Sequence, residues 1–449
     1  MMSIRIGNGC GFWGDNLDAP VLLAEKGQLD YLTLEYLAEL TMSILALQKQ
    51  KNPTYGYARD FLTVLERLCP ILQAQPNLKI ITNAGGMNPQ VCAATAKDIL
   101  ARWGLEGRTI ATVDGDDLLP NLDDLLSQGH GMNNLENDGP LSAIRDRVVS
   151  ANAYLGARPI AEALGRGASI VITGRVADAS LTVGPAVHEL GWSWDDWDRL
   201  CAATVAGHLI ECGAQVTGGL WCNWQEADLT NVGYPIAVID EDGTVRITKP
   251  EGTGGAVNVE TVTEQLLYEV GDPANYLTPD VVADFTTLDV RACQRDVVKL
   301  SGITGKPKTD SYKVSMAYRN GFAASGTLLI YGPKAATKAQ ACGDMIFRRL
   351  ERAGVTFEDT LVECLGAGST VPLGELRSDL EEVVLRISVR DSEKAKVERF
   401  TKEVAPLVTS GPPGVSGYTG GRAPVREVFA YWPTLIAKDA VEPQVRILS

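Results

Sequence analysis

Acids, amides and glycines cluster wherever an apolar run ends in the first part of this chain. Ile4–Gly7 opens into glycines at 9, 11 and 14 and reaches Asp15. Tyr31–Tyr36 carries Glu35 near its end, with Glu39 one turn further. Lys79–Asn83 leads into Asn83-Ala84-Gly85-Gly86-Met87-Asn88, and Thr109–Val113 into Asp114-Gly115-Asp116-Asp117. Val148–Tyr154 contains Asn152, and Ser169–Thr173 leads into Gly174-Arg175 and then Asp178. Paired carboxyls can exchange protons as general acid and base. Amides and glycine-loop N–H groups can donate to an oxyanion as it develops. Arg175, Arg422 or Lys249 can hold a carboxylate or phosphate. Hydration and elimination need that set of groups and demand no redox or nucleophilic residue.

One such cluster is an ordinary helix cap more often than a site. Several in register on one sheet edge favour a site, because open α/β sheets bind ligands beyond the carboxyl ends of their strands. Gly9-Cys10-Gly11-Phe12-Trp13-Gly14 also fits G-x-G-x-x-G, with Glu35 standing where a ribose-binding acid would. That leaves a nicotinamide-dependent oxidoreductase as the alternative reading. Bulky Phe12 and Trp13 and the acidic Asp15 argue against pyrophosphate there. A third reading is a non-catalytic subunit of an acyl-CoA-processing complex.

Other groups admit two readings each. Asp114, Asp116 and Asp117 are hard oxygen ligands that suit a divalent metal such as Mg²⁺, or form an ordinary acidic loop. His208, Glu211 and Cys212 share one helical face at i, i+3 and i+4. They are an acid/base pair beside a thiol, a zinc site, or a buried histidine with a core cysteine. Three histidines in all exclude a His-rich metal site. Thr253-Gly254-Gly255 cradles phosphate or simply turns the chain. Tyr418 and Arg422 lie in a long Gly/Pro loop, 411–422, of the kind that often carries function. No G-x-S-x-G follows a strand, which counts against a serine hydrolase. The sequence requires no cofactor.

Helical stretches at Pro20–Lys26, Tyr57–Leu72, Pro89–Trp103 and Pro159–Gly165 alternate with these runs. Such alternation predicts an α/β fold, an open and mainly parallel Rossmann-like sheet with helices on both faces. A closed barrel is the alternative, disfavoured because the alternation stops before eight units. All six strand ends should then line one crevice. We place the first domain at 1–290, with a further helix at Leu200–Cys212 and a hairpin about Asp242-Gly243. The second, 291–449, alternates differently. Strand-like runs at Tyr312–Tyr318, Gly326–Tyr331, Leu361–Leu365, Val383–Arg390 and Arg426–Tyr431 flank helices at Lys334–Ala353 and Ser392–Leu407. That order predicts a ferredoxin-like α+β sandwich.

Composition narrows the partners. The chain has 449 residues and a net charge of −15, which argues against nucleic acid. It has no signal-like apolar segment and no membrane-length apolar run. Nine cysteines without paired spacing fit a reduced, cytoplasmic protein. We expect a homo-oligomer that takes a small carboxylate or acyl-CoA.

Taken together the motifs resemble the acyclic terpene utilisation AtuA family. The matching stretches include Gly14-Asp15, Asp30-Tyr31-Leu32 through Glu35 to Glu39, Asn83-Ala84-Gly85-Gly86-Met87-Asn88-Pro89, and Ile172-Thr173-Gly174-Arg175 with Asp178. They continue through Gly207-His208 with Glu211-Cys212, Gly252-Thr253-Gly254-Gly255 and Gly411-Pro412-Pro413-Gly414 to Tyr431-Trp432-Pro433. The resemblance spans nearly the whole chain. It implies catabolism of branched, unsaturated acids, often beside acyl-CoA enzymes, without naming a reaction. Many relatives carry a further small C-terminal domain or a partner protein. This chain ends at Ser449 without that domain, so a small partner protein is expected in its place. From the residues we expect a lyase or hydratase. Glu35, Glu39, Asp114, Asp178, His208 and Glu211 are its acid/base candidates. Gly11, Gly14, Asp15, Asn83, Gly85, Gly86, Asn88, Asn152, Arg175, Thr253, Gly254, Tyr418 and Arg422 would bind substrate.

Overall fold

Aliphatic and β-branched runs form the strands of a computed structural model that describes residues 2–371, 374, 377–417 and 421–448. Its first six strands are Ser3–Asn8 (β1), Tyr31–Leu34 (β2), Lys79–Thr82 (β3), Ile110–Asp114 (β4), Val148–Ala153 (β5) and Ile170–Thr173 (β6). Every residue of β2 and β6 is buried, as strands covered on both faces require. Between the strands run Ala19–Lys26 (α1), Glu39–Lys51 (α2), Asp60–Ala74 (α3), Pro89–Arg102 (α4), Leu122–Ser127 (α5) and Arg158–Gly165 (α6). Proline stands in the first turn of α1, α4 and α6, where its missing N–H costs nothing.

Five of these strands pair in parallel in the order β1, β2, β3, β6, β4. After Ser180–Leu190 (α7) and Trp197–Glu211 (α8), the chain returns by a hairpin. Ile236–Asp240 (β7) runs antiparallel to β1, and Val245–Thr248 (β8) antiparallel to β7. The helix Val259–Leu267 (α9) follows, opened by a capping box at Asn258 and Thr261. Tyr276–Leu277 (β9) and Val282–Asp284 (β10) join Thr304–Lys306 (β13) in a small separate sheet. Asp289–Gln294 (β11) and Val297–Ser301 (β12) extend the large sheet beyond β8.

The result is a ten-stranded mixed sheet, parallel only at its centre. The expected mainly parallel sheet is corrected accordingly. The hairpins β7–β8 and β11–β12 must pair antiparallel. Three antiparallel pairings between strands distant in sequence add to them: β7 on β1, β12 on β8, and the last strand, Gln444–Leu448, on β4. A second correction concerns β5, which leaves the large sheet and pairs with Ser311–Tyr331 (β14). All but the first residue of β5 is buried. A strand buried on both faces offers no alternation from which to choose its neighbour.

The chain divides into two compact units, Met1–Ala317 with Tyr431–Ser449, and Tyr318–Ala430. In the smaller unit β14 lies between Glu382–Asp391 (β16) and Val415–Gly417 (β17), and Asp359–Leu365 (β15) borders β16. Ala335–Arg352 (α10), Lys394–Phe400 (α11) and Leu407–Ser410 (α12) complete it. Their buried faces build a core around Ile346, Leu385, Ile387 and Phe400. Two differences from expectation have local causes. The predicted helix Ser392–Leu407 is broken into α11 and α12 ahead of Pro406, which disfavours helix at the residue before it. The two predicted strands Tyr312–Tyr318 and Gly326–Tyr331 are one strand, with Gly321 at φ +86° inside it. Arg426–Ala437 (β18) also pairs with β14, and Gln444–Leu448 (β19) closes the β4 edge of the large sheet.

Candidate functional site

A cavity of about 590 Å³ opens where β1 and β2 end and α8 terminates. Its lining includes Gly11, Asp15, Glu35, Asp178, Glu211 and Glu269, and among the described residues contains no Lys, Arg or His. So much carboxyl in one place is costly unless protons or donors neutralise it. The structure shows how that is done.

Glu35 is 4% exposed and stands at the end of β2. Its Oε1 accepts from Asn83 Nδ2 and from the Leu37 N–H at 3.1 Å. Asn83 is oriented in turn by accepting from the Tyr36 N–H at 2.8 Å. Glu35 Oε2 is buried and has no partner among the described residues. Burial first, and then the Asp178 charge, hold its carboxyl well above the ordinary range, against the opposing pull of Arg175. Glu35 therefore holds its proton more tightly than an ordinary carboxyl, and one of its oxygens has no partner among the described residues.

Glu211 ends α8 and pairs with His208 one turn back, its Oε1 3.1 Å from Nδ1. The other ring nitrogen, Nε2, faces the Gln265 carbonyl at 2.9 Å. A carbonyl only accepts, so Nε2 carries a proton. A further proton held by the pair then sits between Nδ1 and Glu211. Burial pushes the Glu211 carboxyl up to about 7, with His208 opposing and Asp178 adding to the rise. Burial lowers His208, but Glu211 outweighs it and leaves its pKa raised. Glu211 Oε2 is a second buried oxygen without a partner among the described residues. Rings of Tyr276 and Phe285 lie 5.3 and 5.5 Å from the imidazole and keep it dry.

Arg175 joins these groups from below. It donates to Asp178 Oδ1 at 2.6 Å and to the Leu37 carbonyl at 3.2 Å. It also lies 4.2 Å over the Tyr154 ring. Burial works against its charge, yet Asp178, Tyr154 and Glu35 hold its pKa well above the ordinary value. Its charge is thus shared between Asp178 and, at 3.9 Å, Glu35 Oε1, and it orients these carboxyls rather than lining the cavity. The Tyr154 hydroxyl donates to Glu39, which also lies 3.3 Å from Lys313 Nζ. Burial raises Glu39, but Tyr154, Arg175 and Lys313 prevail and lower it to about 2. A carboxylate so firmly ionised is an anchor for Tyr154, not a proton donor.

The glycine loop is held shut by its own acid. Asp15 accepts from Gly11 N at 2.8 Å, Asn16 N at 2.7 Å and the Tyr234 hydroxyl at 2.6 Å. The Gly11 amide is therefore occupied and does not point at a ligand. A Cβ at Gly11 would stand 2.7 Å from the Cys212 carbonyl carbon, so glycine is needed where the loop meets the end of α8. Gly14, at φ +105°, completes the turn. Burial raises the Cys10 thiol well above its usual value, and Cys212 is pushed up to about 12. Neither is an activated nucleophile.

The remaining candidates have partners of their own. Gly85 and Gly86 let the loop after β3 pack against Thr173 and Leu45, and Asn88 donates to the Pro53 and Tyr55 carbonyls. Asp114 pairs with Arg446 at 3.1 Å. Asp116 accepts from Asn152 Nδ2 at 2.8 Å and Arg175 N at 2.9 Å, and Asp117 caps Leu119 N at 3.2 Å. Those three acids serve different partners. Among the described residues no group of three or more His, Cys, Asp or Glu is arranged to hold a metal ion. Thr253 bonds back to Pro250, and Gly254 packs on the Asp228 backbone, so this stretch turns the chain. Lys249 is paired with Asp296 at 3.2 Å. Arg422 is exposed in the smaller unit, and Tyr418 lies outside the described residues.

Tyr234, Gln265 and Glu269 were not among the residues singled out from sequence. Tyr234 comes from the irregular stretch after α8, Gln265 from α9 and Glu269 from just beyond it, and no strand-end pattern marks any of them. Tyr154 carried a signal, being two residues beyond Asn152 in the same run.

Comparison with curated proteins returned no match. Comparison with solved structures also returned none. The model of the acyclic terpene utilisation family protein AtuA matches residues 4–447. The match takes in every strand and helix that walls the cavity, and the chain belongs to that family.

Proposed function

We propose that the acidic cavity is the active site of a lyase or hydratase acting on a branched, unsaturated acyl group presented as a CoA thioester. Membership of the family ties the chain to acyclic terpene utilisation, a catabolic role. One observation carries the chemical reading. Two buried carboxyls, Glu35 and Glu211, line the same cavity, each with one unpartnered oxygen, and both feel Asp178.

In hydration, the Glu211–His208 pair takes a proton from water as its oxygen bonds to the β-carbon. Electrons move from the double bond toward the thioester carbonyl. Neutral Glu35 donates a hydrogen bond to that oxygen and then delivers a proton to the α-carbon. A carboxylic acid kept neutral by burial can stabilise an enolate in this way. Elimination is the reverse, and no oxidant or reductant enters. Burial, with the charge of Asp178 adding to it, raises the pKa of both Glu35 and Glu211. A lining without cations favours a neutral thioester over a free carboxylate. In fold terms we read the parallel centre as Rossmann-like. The strand order β15, β16, β14, β17 supports a ferredoxin-like reading of the smaller unit.

The test is turnover of a panel of hydroxyacyl and enoyl acids and their CoA thioesters. Glu35→Gln and Glu211→Gln should each lower kcat by about 10²- to 10⁴-fold. The base must be free to accept a proton, so kcat/KM should rise as pH approaches about 7 and fall again as Glu35 ionises. Glu211→Gln should remove the rising limb. A panel left unchanged by the wild-type protein, or full activity in both variants, would sink the reading.

A further inference from the structure

A second cavity, of about 700 Å³, has a wall of the opposite character. Trp13 and Tyr55 contribute ring faces, and Lys51 and Arg59 contribute positive charge. Lys51 ends α2 and Arg59 immediately precedes α3, so the connection between those helices forms much of the wall. The Arg59 guanidinium lies 5.1 Å over the Tyr55 ring. Neither Lys51 nor Arg59 makes an ion pair among the described residues. One acid, Asp60, shares the lining. Two cations without an ion pair thus stand beside two aromatic rings on a chain of net charge −15.

The linings of the two cavities include consecutive residues. Phe12 lines the acidic cavity and Trp13 lines this one. Consecutive Cα atoms are only about 3.8 Å apart. Trp13 also packs partly against the main core of the larger unit, which fixes its ring.

We propose that this second cavity binds a phosphorylated purine nucleotide, the chemistry of the coenzyme A handle, and so anchors the substrate whose acyl group enters the acidic cavity. A purine face stacks on Trp13 or Tyr55. Lys51 and Arg59 take the phosphate oxygens. The arrangement answers a problem posed by the acidic cavity. An acyl-CoA carries several negative charges, and a carboxyl-lined site without cations repels them. This inference rests on the acid/base reading for its substrate, but the site itself stands on its own residues.

Binding is measured first, without turnover. Adenosine 3′,5′-bisphosphate and coenzyme A are titrated calorimetrically into the full-length protein. Lys51→Glu with Arg59→Glu should weaken both by at least ten-fold, and Asp60→Asn should tighten both several-fold. Lys51 and Arg59 are exposed and Asp60 is half-buried, and an unchanged circular dichroism melt confirms folding. Trp13→Phe should abolish a ligand-induced change in tryptophan fluorescence while the protein stays folded. Glu35→Gln should bind both probes as the wild type does, so loss of turnover in that variant leaves this proposal standing. The source of the nucleotide is distinguished by comparing coenzyme A thioesters with N-acetylcysteamine thioesters. A handle site raises KM for the coenzyme A ester alone when Lys51 and Arg59 are reversed. If only free nucleotide binds and thioester KM is unaffected, the anchoring role is overturned. If neither probe binds at millimolar concentration, or binding survives charge reversal, the site itself is overturned.

Discussion

Asp116 lies behind the acidic cavity rather than in it, and its burial has a thermodynamic signature. Its carboxyl is pushed up from 3.8 to about 7, chiefly by burial, while the Arg175 N–H and Asn152 oppose the rise. An acid with a raised folded pKa binds its proton more tightly when folded. Its contribution is therefore fully present below about pH 4 and is lost as pH rises through about 7. The span is worth at most about 4 kcal/mol. Asp116→Asn keeps the shape and an acceptor for both donors. It should flatten the fall in stability between about pH 5 and pH 8, read from denaturant midpoints. A fall as steep as in the wild type would assign the pH dependence elsewhere. Residue types announced some of this. Glu35 stood out as an acid at a strand end, and His208 and Glu211 as neighbours on one helical face. Nothing in the sequence separated Asp114, Asp116 and Asp117, because burial and partners decide their roles. Gln265, whose carbonyl sets the His208 tautomer, comes from a helix with no chemical pattern of its own.

At the scale of elements, the strands that carry the cavity were readable as short apolar runs between turn residues. Their observed ends lie within one or two residues of the expected ones. Pairing was less readable. The hairpin of β7 and β8 was marked by Asp242-Gly243, but nothing local shows that it docks antiparallel on β1. The contact between the glycine loop and the end of α8 was invisible for the same reason, since it joins residues some 200 positions apart. That contact makes a sharp prediction. Gly11→Ala puts a methyl 2.7 Å from the Cys212 carbonyl carbon and 3.0 Å from Gly213 N, both backbone atoms that cannot swing aside. The variant should lose about 1–3 kcal/mol of stability, seen as a lower thermal midpoint. Its catalytic loss should exceed what stability explains, because Glu211 and Asp15 flank the displaced segment. An unchanged midpoint would mean that loop and helix part freely.

The whole molecule shows in its thiols. All nine cysteines are free, and only Cys222 and Cys293 are exposed. An aromatic disulfide reagent should find two fast-reacting thiols in the native protein and the other seven after unfolding. Replacing both exposed cysteines with serine should remove the fast phase. More than two fast thiols in the intact wild type would contradict the packing around Cys10, Cys69 and Cys92. No helix among the described residues is long and apolar enough to cross a membrane. The division into units was the least legible property at this scale. Composition does not change at Ala317 or Tyr431, and both boundaries fall within continuous strands, β14 and β18.

The placement of β19 has a consequence for how the molecule is made. Its partner β4 is complete once Asp114 has been synthesised, yet β19 begins only at Gln444. All of Tyr318–Ala430 must leave the ribosome in between. For most of translation, then, one edge of the central sheet has a row of unsatisfied amides and carbonyls, open to any passing strand. The growing chain is most exposed to mispairing at the strand it needs last to complete.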